Sequence, residues 1–174
     1  SAMLFYVFVY TLWLKRTSTQ NIVIGGAAGA VPVLVGWSAV RNDLGWAPVL
    51  LFVVMFLWTP PHFWALAIRY REDYKAAGVP MLPVVETLET TVRRMVLYTA
   101  VMVAGTVALW PVGELGWIYG VAAVVLGALF LWGTADLGRN PAPARAMRVF
   151  AYSITYVTLL FAAITVDVLV RHGV

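Results

Sequence analysis

At 174 residues, 62% hydrophobic and only 11% Asp, Glu, Lys or Arg, the chain carries under half the charge of an ordinary soluble domain. Twelve basic and eight acidic side chains cannot coat a water-facing surface, which excludes a soluble enzyme, a nucleic-acid binder and a disordered chain. The absence of cysteine excludes disulfides, thiolate metal sites and thiol catalysis, and the net charge of +4 reads as topological bias.

A hydrocarbon core of ~30 Å takes about 20 apolar residues per helical crossing, so the length allows five or six crossings. Ser1-Ala2-Met3 reads as a tag remnant or an internal start, and no stretch resembles a cleavable signal peptide. The first apolar run, 2–14, is too short to span and predicts a crossing whose beginning is missing. The second, 21–40, is long enough. Its Gly25 and Gly29 form a small-xxx-small pair suited to close helix packing, and with no preceding strand and no following Lys the glycine run is no phosphate loop. A third run, 47–68, is interrupted by Trp58-Thr59-Pro60-Pro61-His62-Phe63-Trp64. The fourth (95–110), fifth (115–132) and last (149–170) complete an all-α polytopic bundle of about six helices in a single transmembrane domain.

The cations between these runs alternate. One set of loops holds Lys15, Arg16, Arg69, Arg71, Lys75, Arg93, Arg94, Arg139, Arg145 and Arg148; the other holds only Arg41 and Arg171, which accounts for all twelve. The positive-inside rule places the first set in the cytoplasm or its equivalent and the carboxyl terminus outside. Two connections are long, 69–94 and 136–148, and the longer carries Glu72, Asp73, Glu86 and Glu89 beside its five cations. Chemistry is therefore expected on that face.

Within the third run, each of Pro60 and Pro61 lacks an N–H, so the carbonyls of Phe56 and Leu57 lose their helical partners. Groups freed in this way persist at membrane depth only where protein or a wet cavity satisfies them. His62 follows at once, an intramembrane ionisable group that is either a functional site or a satisfied packing residue. If the helix continues past Arg69, then His62, Leu66, Arg69 and Asp73 form one stripe from an apolar depth to a polar mouth. Arg69 and Asp73 are either a local ion pair or the mouth of a site for an anionic head group, with the carboxylate holding a divalent metal on phosphate. Lys15, Arg16, Thr17, Thr19 and Asn21 open the second helix on the same face, as topological anchors or as phosphate donors. Asp167 and Arg171, four apart, read as a local interfacial pair.

The segments 10–17 and 21–37, with 58–67 and 73–85, resemble the protohaem IX farnesyltransferase (haem O synthase) family, a branch of the UbiA-type intramembrane prenyltransferases. The likeness extends over essentially the whole chain and is loosest in the last helix, at Tyr152-Ser153-Ile154 and Leu159-Leu160-Phe161. It implies an all-helical fold of nine crossings with the site toward the cytoplasm or matrix, in a bacterial cell membrane or mitochondrial inner membrane. The implied reaction moves a farnesyl group from farnesyl diphosphate to a vinyl group of haem B, giving haem O. Mg²⁺ would hold the diphosphate, with Asp73 as its ligand and Glu72 as helper. Lys15, Arg16 and Arg69 would contact diphosphate, His62 would face the haem, and Thr17, Asn21, Tyr70 and Lys75 would bind substrate. Implied partners are the lipid bilayer, haem A synthase and terminal oxidase assembly factors.

Two departures stand out. The second acidic motif often has two aspartates four apart, whereas here Arg69 occupies the earlier place. The first acidic motif is missing, since Asn42-Asp43 lies in an outer loop without its spacing. The chain is therefore expected to be the carboxyl-terminal part, about six of nine helices, inactive alone. A quinone-precursor prenyltransferase and a non-catalytic haem-binding membrane subunit are the alternatives.

Overall fold

The computed structural model describes residues 4–173, except the side chains of residues 5, 6, 9, 14, 16 and 172. The expectations for Ser1, Ala2, Met3 and the Arg16 side chain lie outside the described residues. There is no strand among the described residues. A π-wound helix α1 (Phe5–Leu14) runs into a single turn α2 (Lys15–Thr17). The membrane-length helices are α3 (Asn21–Arg41), α4 (Trp46–Arg69), α7 (Leu88–Val112), α8 (Trp117–Arg139) and α9 (Pro143–His172). Two short helices, α5 (Arg71–Ala76) and α6 (Leu82–Val85), lie between α4 and α7. Five helices among the described residues are long and apolar enough to cross a membrane.

Helix α4 is the axis of the bundle. It packs against α3, α7 and α9, while α8 closes the far side against α7 and α9. Pro60, Pro61 and His62 are all buried, and α4 stays helical through the proline pair. In lipid, such packing rests on close van der Waals contact, because the tails are as apolar as the side chains. Small residues set the approach. A Cβ on Gly26 would lie 3.0 Å from Thr59 of α4, and one on Gly25 would overlap the Tyr10 ring at 2.4 Å. Gly29 meets nothing within 4 Å, so the expected Gly25/Gly29 packing pair holds at one end only.

The helices run past the apolar stretches. Helix α7 starts at Leu88, with Thr87 Oγ1 accepting from the Thr90 N–H at 3.2 Å, and α8 continues to Arg139. The expected 13-residue connection over 136–148 shrinks to 140–142, and the segment 69–94 is largely helical. Charged residues mark where a helix leaves hydrocarbon, not where its hydrogen bonding stops.

Contacts at the two ends fix the relative direction of the helices. At one end Arg145 of α9 grips Asp136 of α8. At the other, Asp167 of α9, 1% exposed, accepts from the N–H groups of Gly116 (2.5 Å) and Tyr119 (3.2 Å). Asp167 therefore caps the amino terminus of α8, a buried carboxylate balanced by otherwise orphaned donors and the helix dipole. Arg171 donates to the Glu114 carbonyl. The interfacial Asp167–Arg171 pair read from the sequence is thus replaced by two separate clamps, because the start of α8 and the loop before it offer each side chain another partner.

Asp167→Ala is expected to destabilise the bundle by roughly 1–2 kcal/mol, the upper range for a lost helix cap. Asp167→Asn, which keeps an acceptor, should cost less. Unfolding in mixed micelles followed by circular dichroism measures both; equal stability of Asp167→Ala and wild type would remove the capping role.

Candidate functional site

On the basic face, the corner between α1 and α3 is tied down by Asn21. This residue is 1% exposed; its Nδ2 donates to the Lys15 carbonyl at 3.4 Å and its Oδ1 accepts from the Ile22 N–H at 2.6 Å. The Thr17 hydroxyl donates to the Trp13 carbonyl at 2.8 Å. Both side chains are thus committed to backbone, and they set the position of Lys15. The Lys15 side chain is exposed, with no ion-pair partner among the described residues.

The opposite wall comes from the end of α4. At Tyr70 the backbone leaves helical geometry (φ −104°, ψ 32°) before α5 begins. The stripe expected from His62 through Leu66 and Arg69 to Asp73 is therefore broken, since it required an unbroken helix. Arg69 folds its guanidinium over the Tyr70 ring, 5.7 Å from the centroid, and forms no ion pair with Asp73. A cation over an aromatic face gains electrostatic attraction there while remaining hydrated.

Lys15, Tyr70, Asp73, Tyr74, Ala77 and Val79 line one open pocket of about 410 Å³. Of the residues singled out from the sequence, this brings together Lys15, Tyr70 and Asp73. Glu72 and Lys75 are exposed on α5 but do not line it. The pocket floor is shaped by the turn after α5. Gly78 adopts φ +65°, and the Val79 N–H donates to the Tyr74 carbonyl at 3.0 Å. Met81 and Leu82 then anchor the turn in the core. Burial pushes the Tyr74 phenol above its ordinary value, so it keeps its proton at neutral pH.

His62 lies deeper and away from lipid. Its ring stacks between Trp58 (4.3 Å, 20°) and Phe150 (4.6 Å, 26°), and Nδ1 is 2.6 Å from Ser153 Oγ. Ser153 Oγ also donates to the Phe150 carbonyl at 2.6 Å. With its one proton so engaged, the hydroxyl accepts from Nδ1–H, leaving the Nε2 lone pair unused by any described residue. Trp58 Nε1 donates to the Ser153 carbonyl at 2.9 Å, completing the α4–α9 seam. Ser153 is a residue that sequence reasoning missed, and a serine facing inward from an apolar helix was the available signal. Beside the seam, Tyr10, Gly25, Gly29, Met55, Trp58 and Phe63 line an apolar slot of about 260 Å³.

Among the described residues, no three His, Asp or Glu side chains converge on one point as a self-sufficient metal cage. Magnesium, however, is commonly held by one or two carboxylates plus substrate phosphates and water. An exposed Asp73 with no basic partner among the described residues fits one edge of such a site. Asp43 does not, because it accepts from Trp37 Nε1 at 2.9 Å in the α3–α4 loop.

Residues 1–164 match the model of the UbiA prenyltransferase family. A protoheme IX farnesyltransferase of Parafrankia sp. (strain EAN1pec) is 59% identical over 169 residues, covering 94% of this chain and 53% of the relative. Proteins of the same name from Gloeobacter violaceus and Streptomyces coelicolor are 56% and 50% identical, over 94% and 98% of this chain and 54% and 56% of their own lengths. The chain thus spans about half the length of the curated relatives it matches. No solved structure matches it significantly.

His62→Ala should open a void between two stacked rings and destabilise the bundle by about 2–4 kcal/mol, the range for large-to-small core changes. Ser153→Ala should cost about 1 kcal/mol, one hydrogen bond. Detergent unfolding of the two variants checks both values; a His62→Ala loss near zero would show that the ring bears no packing load.

Proposed function

Because the chain belongs to the UbiA prenyltransferase family, we propose that it forms part of an integral membrane enzyme transferring a farnesyl group from farnesyl diphosphate to haem B. The observation that carries this reading is the shared pocket of Lys15 and Asp73, a cation and an exposed carboxylate at the mouth of an otherwise apolar bundle. The half-to-three-fifths identity with protoheme IX farnesyltransferases along nearly all of this chain supports the choice of substrates. Ten of twelve cations lie toward the pocket's face, which by the positive-inside rule makes that face cytoplasmic or matrix-side.

In the proposed reaction the bond between farnesyl C1 and the diphosphate oxygen breaks, and its electron pair leaves with diphosphate. The terminal carbon of a haem vinyl group supplies electrons to the resulting allylic cation, forming the new C–C bond. Water adds to the cation left beside the porphyrin and loses a proton, giving the hydroxyethylfarnesyl group of haem O. Lys15 presents a point charge to the departing diphosphate, with Arg16 beside it in the sequence, and charge stabilisation of this kind is worth most where water is partly excluded. Tyr74, kept protonated, is a donor at the same rim. Asp73 is the residue that would hold a divalent cation, which would supply charge neutralisation to the leaving group. Arg69, held over the ring of Tyr70, which itself lines this pocket, would be a further phosphate contact. The apolar slot beside Trp58 and Phe63 suits a polyprenyl chain, and the unused Nε2 of His62 faces the haem as a hydrogen-bond acceptor or ligand.

Asp73→Asn in the full-length enzyme is expected to lower haem O formation by about 100-fold or more, as for loss of a group that holds the metal. Lys15→Gln should raise the KM for farnesyl diphosphate by roughly 10-fold, the weight of one hydrogen bond to a charged group. Haem O measured by chromatography of extracted haems reads both; unchanged turnover in Asp73→Asn overturns the assignment.

A further inference from the structure

A second basic pocket lies on the same end of the bundle, between α8 and α9, and shares no residue with the one described above. On α8 it is lined by Leu129, Trp132, Gly133 and Asp136; on α9 by Arg145, Arg148, Val149 and Tyr152. Each set follows i, i+3, i+4, i+7, so two helix faces meet along one groove of about 300 Å³. Gly133 keeps the groove open, since a Cβ there would reach only Val149, at 4.0 Å.

Polarity is sharply divided along this groove. All its charges stand at the basic end, and its floor is apolar. At the rim, Arg145 Nη1 donates to both oxygens of Asp136 at 3.0 Å, and Asn140 Nδ2 donates to Oδ1 at 3.0 Å. Asp136 is thereby neutralised and held. Arg148, one turn on from Arg145, is exposed and makes no ion pair or hydrogen bond among the described residues. The rim therefore carries one unbalanced positive charge. The lip of the groove is Trp132, 66% exposed, and Leu129, 47% exposed; Trp favours the head-group level of a membrane.

We propose that this groove binds one anionic glycerophospholipid, its phosphate on Arg148 and the start of an acyl chain against Gly133 and Tyr152. Basic pockets between membrane helices on the positive face are suited to acidic head groups. A free phosphate or diphosphate would gain nothing from the apolar floor, and a choline head group would bring its own cation toward Arg148. The site is independent of the transferase reading, because neither Lys15 nor Asp73 belongs to it.

The test uses the purified full-length protein in mild detergent, with native mass spectrometry of lipid adducts. Dioleoyl phosphatidylglycerol should be retained over dioleoyl phosphatidylcholine. Arg148→Gln should lower phosphatidylglycerol occupancy by roughly fivefold, the weight of one arginine near an acidic surface, and leave phosphatidylcholine unchanged. Gly133→Met should reduce retention of both lipids by filling the groove, with the melting temperature in lipid-free detergent serving as the fold control. Equal retention of the two lipids, or unaltered phosphatidylglycerol occupancy in Arg148→Gln, overturns the proposal. Displacement of phosphatidylglycerol by millimolar inorganic phosphate also overturns it, by assigning the rim to a free anion. Arg148→Gln decides the matter even if Gly133→Met fails to fold.

Discussion

Two adjacent prolines in the middle of a membrane-crossing helix leave backbone carbonyls that hydrocarbon cannot satisfy, and the bundle is arranged around that constraint. A helix with such a defect cannot sit at the lipid boundary. Helix α4 accordingly takes the centre, with α3, α7 and α9 around it. Polar groups near the prolines are matched within the protein. Thr59 donates to the Met55 carbonyl, Trp58 to the Ser153 carbonyl, and His62 pairs with the Ser153 hydroxyl. The Ser153 contact and the two flanking rings fix the imidazole next to the proline pair, in the buried part of the helix.

The coarse architecture was legible because it depends on composition and on the alternation of charge, both of which are one-dimensional. Lys15 and Asp73, 58 positions apart in sequence, were assigned to one face by counting cations, and they line one pocket. What was not legible depends on partners distant along the chain. Asp167 looks like half of an i, i+4 pair with Arg171, yet its oxygens bind N–H groups of residues 116 and 119. No local rule weighs a neighbouring helix terminus against a neighbouring arginine. The break at Tyr70 has no proline or glycine at the residue itself to announce it, and it alone separates a continuous polar stripe from a pocket with two independent walls. Helix ends were misplaced for another reason: apolar content reports where lipid begins, whereas hydrogen bonding continues several residues further, as at Leu88 and Arg139.

The proposed reaction would combine two chemistries that ordinarily exclude each other. A diphosphate needs cations and water, while a polyprenyl chain and a porphyrin need an apolar surround. On that proposal the chain would separate them by depth. Lys15 and Asp73 stand at the end of the bundle, and the seam of Trp58, His62 and Phe150 lies within it. Rigidity is supplied unevenly. The Lys15 corner is bolted by the buried Asn21 amide, whereas the Asp73 wall is carried on a six-residue helix with no buried residue of its own. That wall is held from behind by Met81 and Leu82, which enter the core just after the turn. The carboxylate side of the pocket is therefore the softer of the two, and adjusting to a bulky anion would be absorbed there.

Charge on the basic end also has to be accounted for as a field, not only as contacts. Ten cations lie on that side, and among the described residues ion pairs neutralise two of them, Arg145 with Asp136 at 3.0 Å and Arg94 with Glu86 at 4.0 Å. The Arg94 pair is exposed on both sides, so its own contribution is small. Most of the remaining positive potential faces the head-group layer, where it raises the local concentration of phosphate-bearing molecules within about a Debye length. An anionic lipid and an anionic diphosphate substrate would then compete for the same field while using different grooves. On both proposals, an anion in the α8–α9 groove would lower the potential at Lys15 without touching it, an effect screened over about a Debye length.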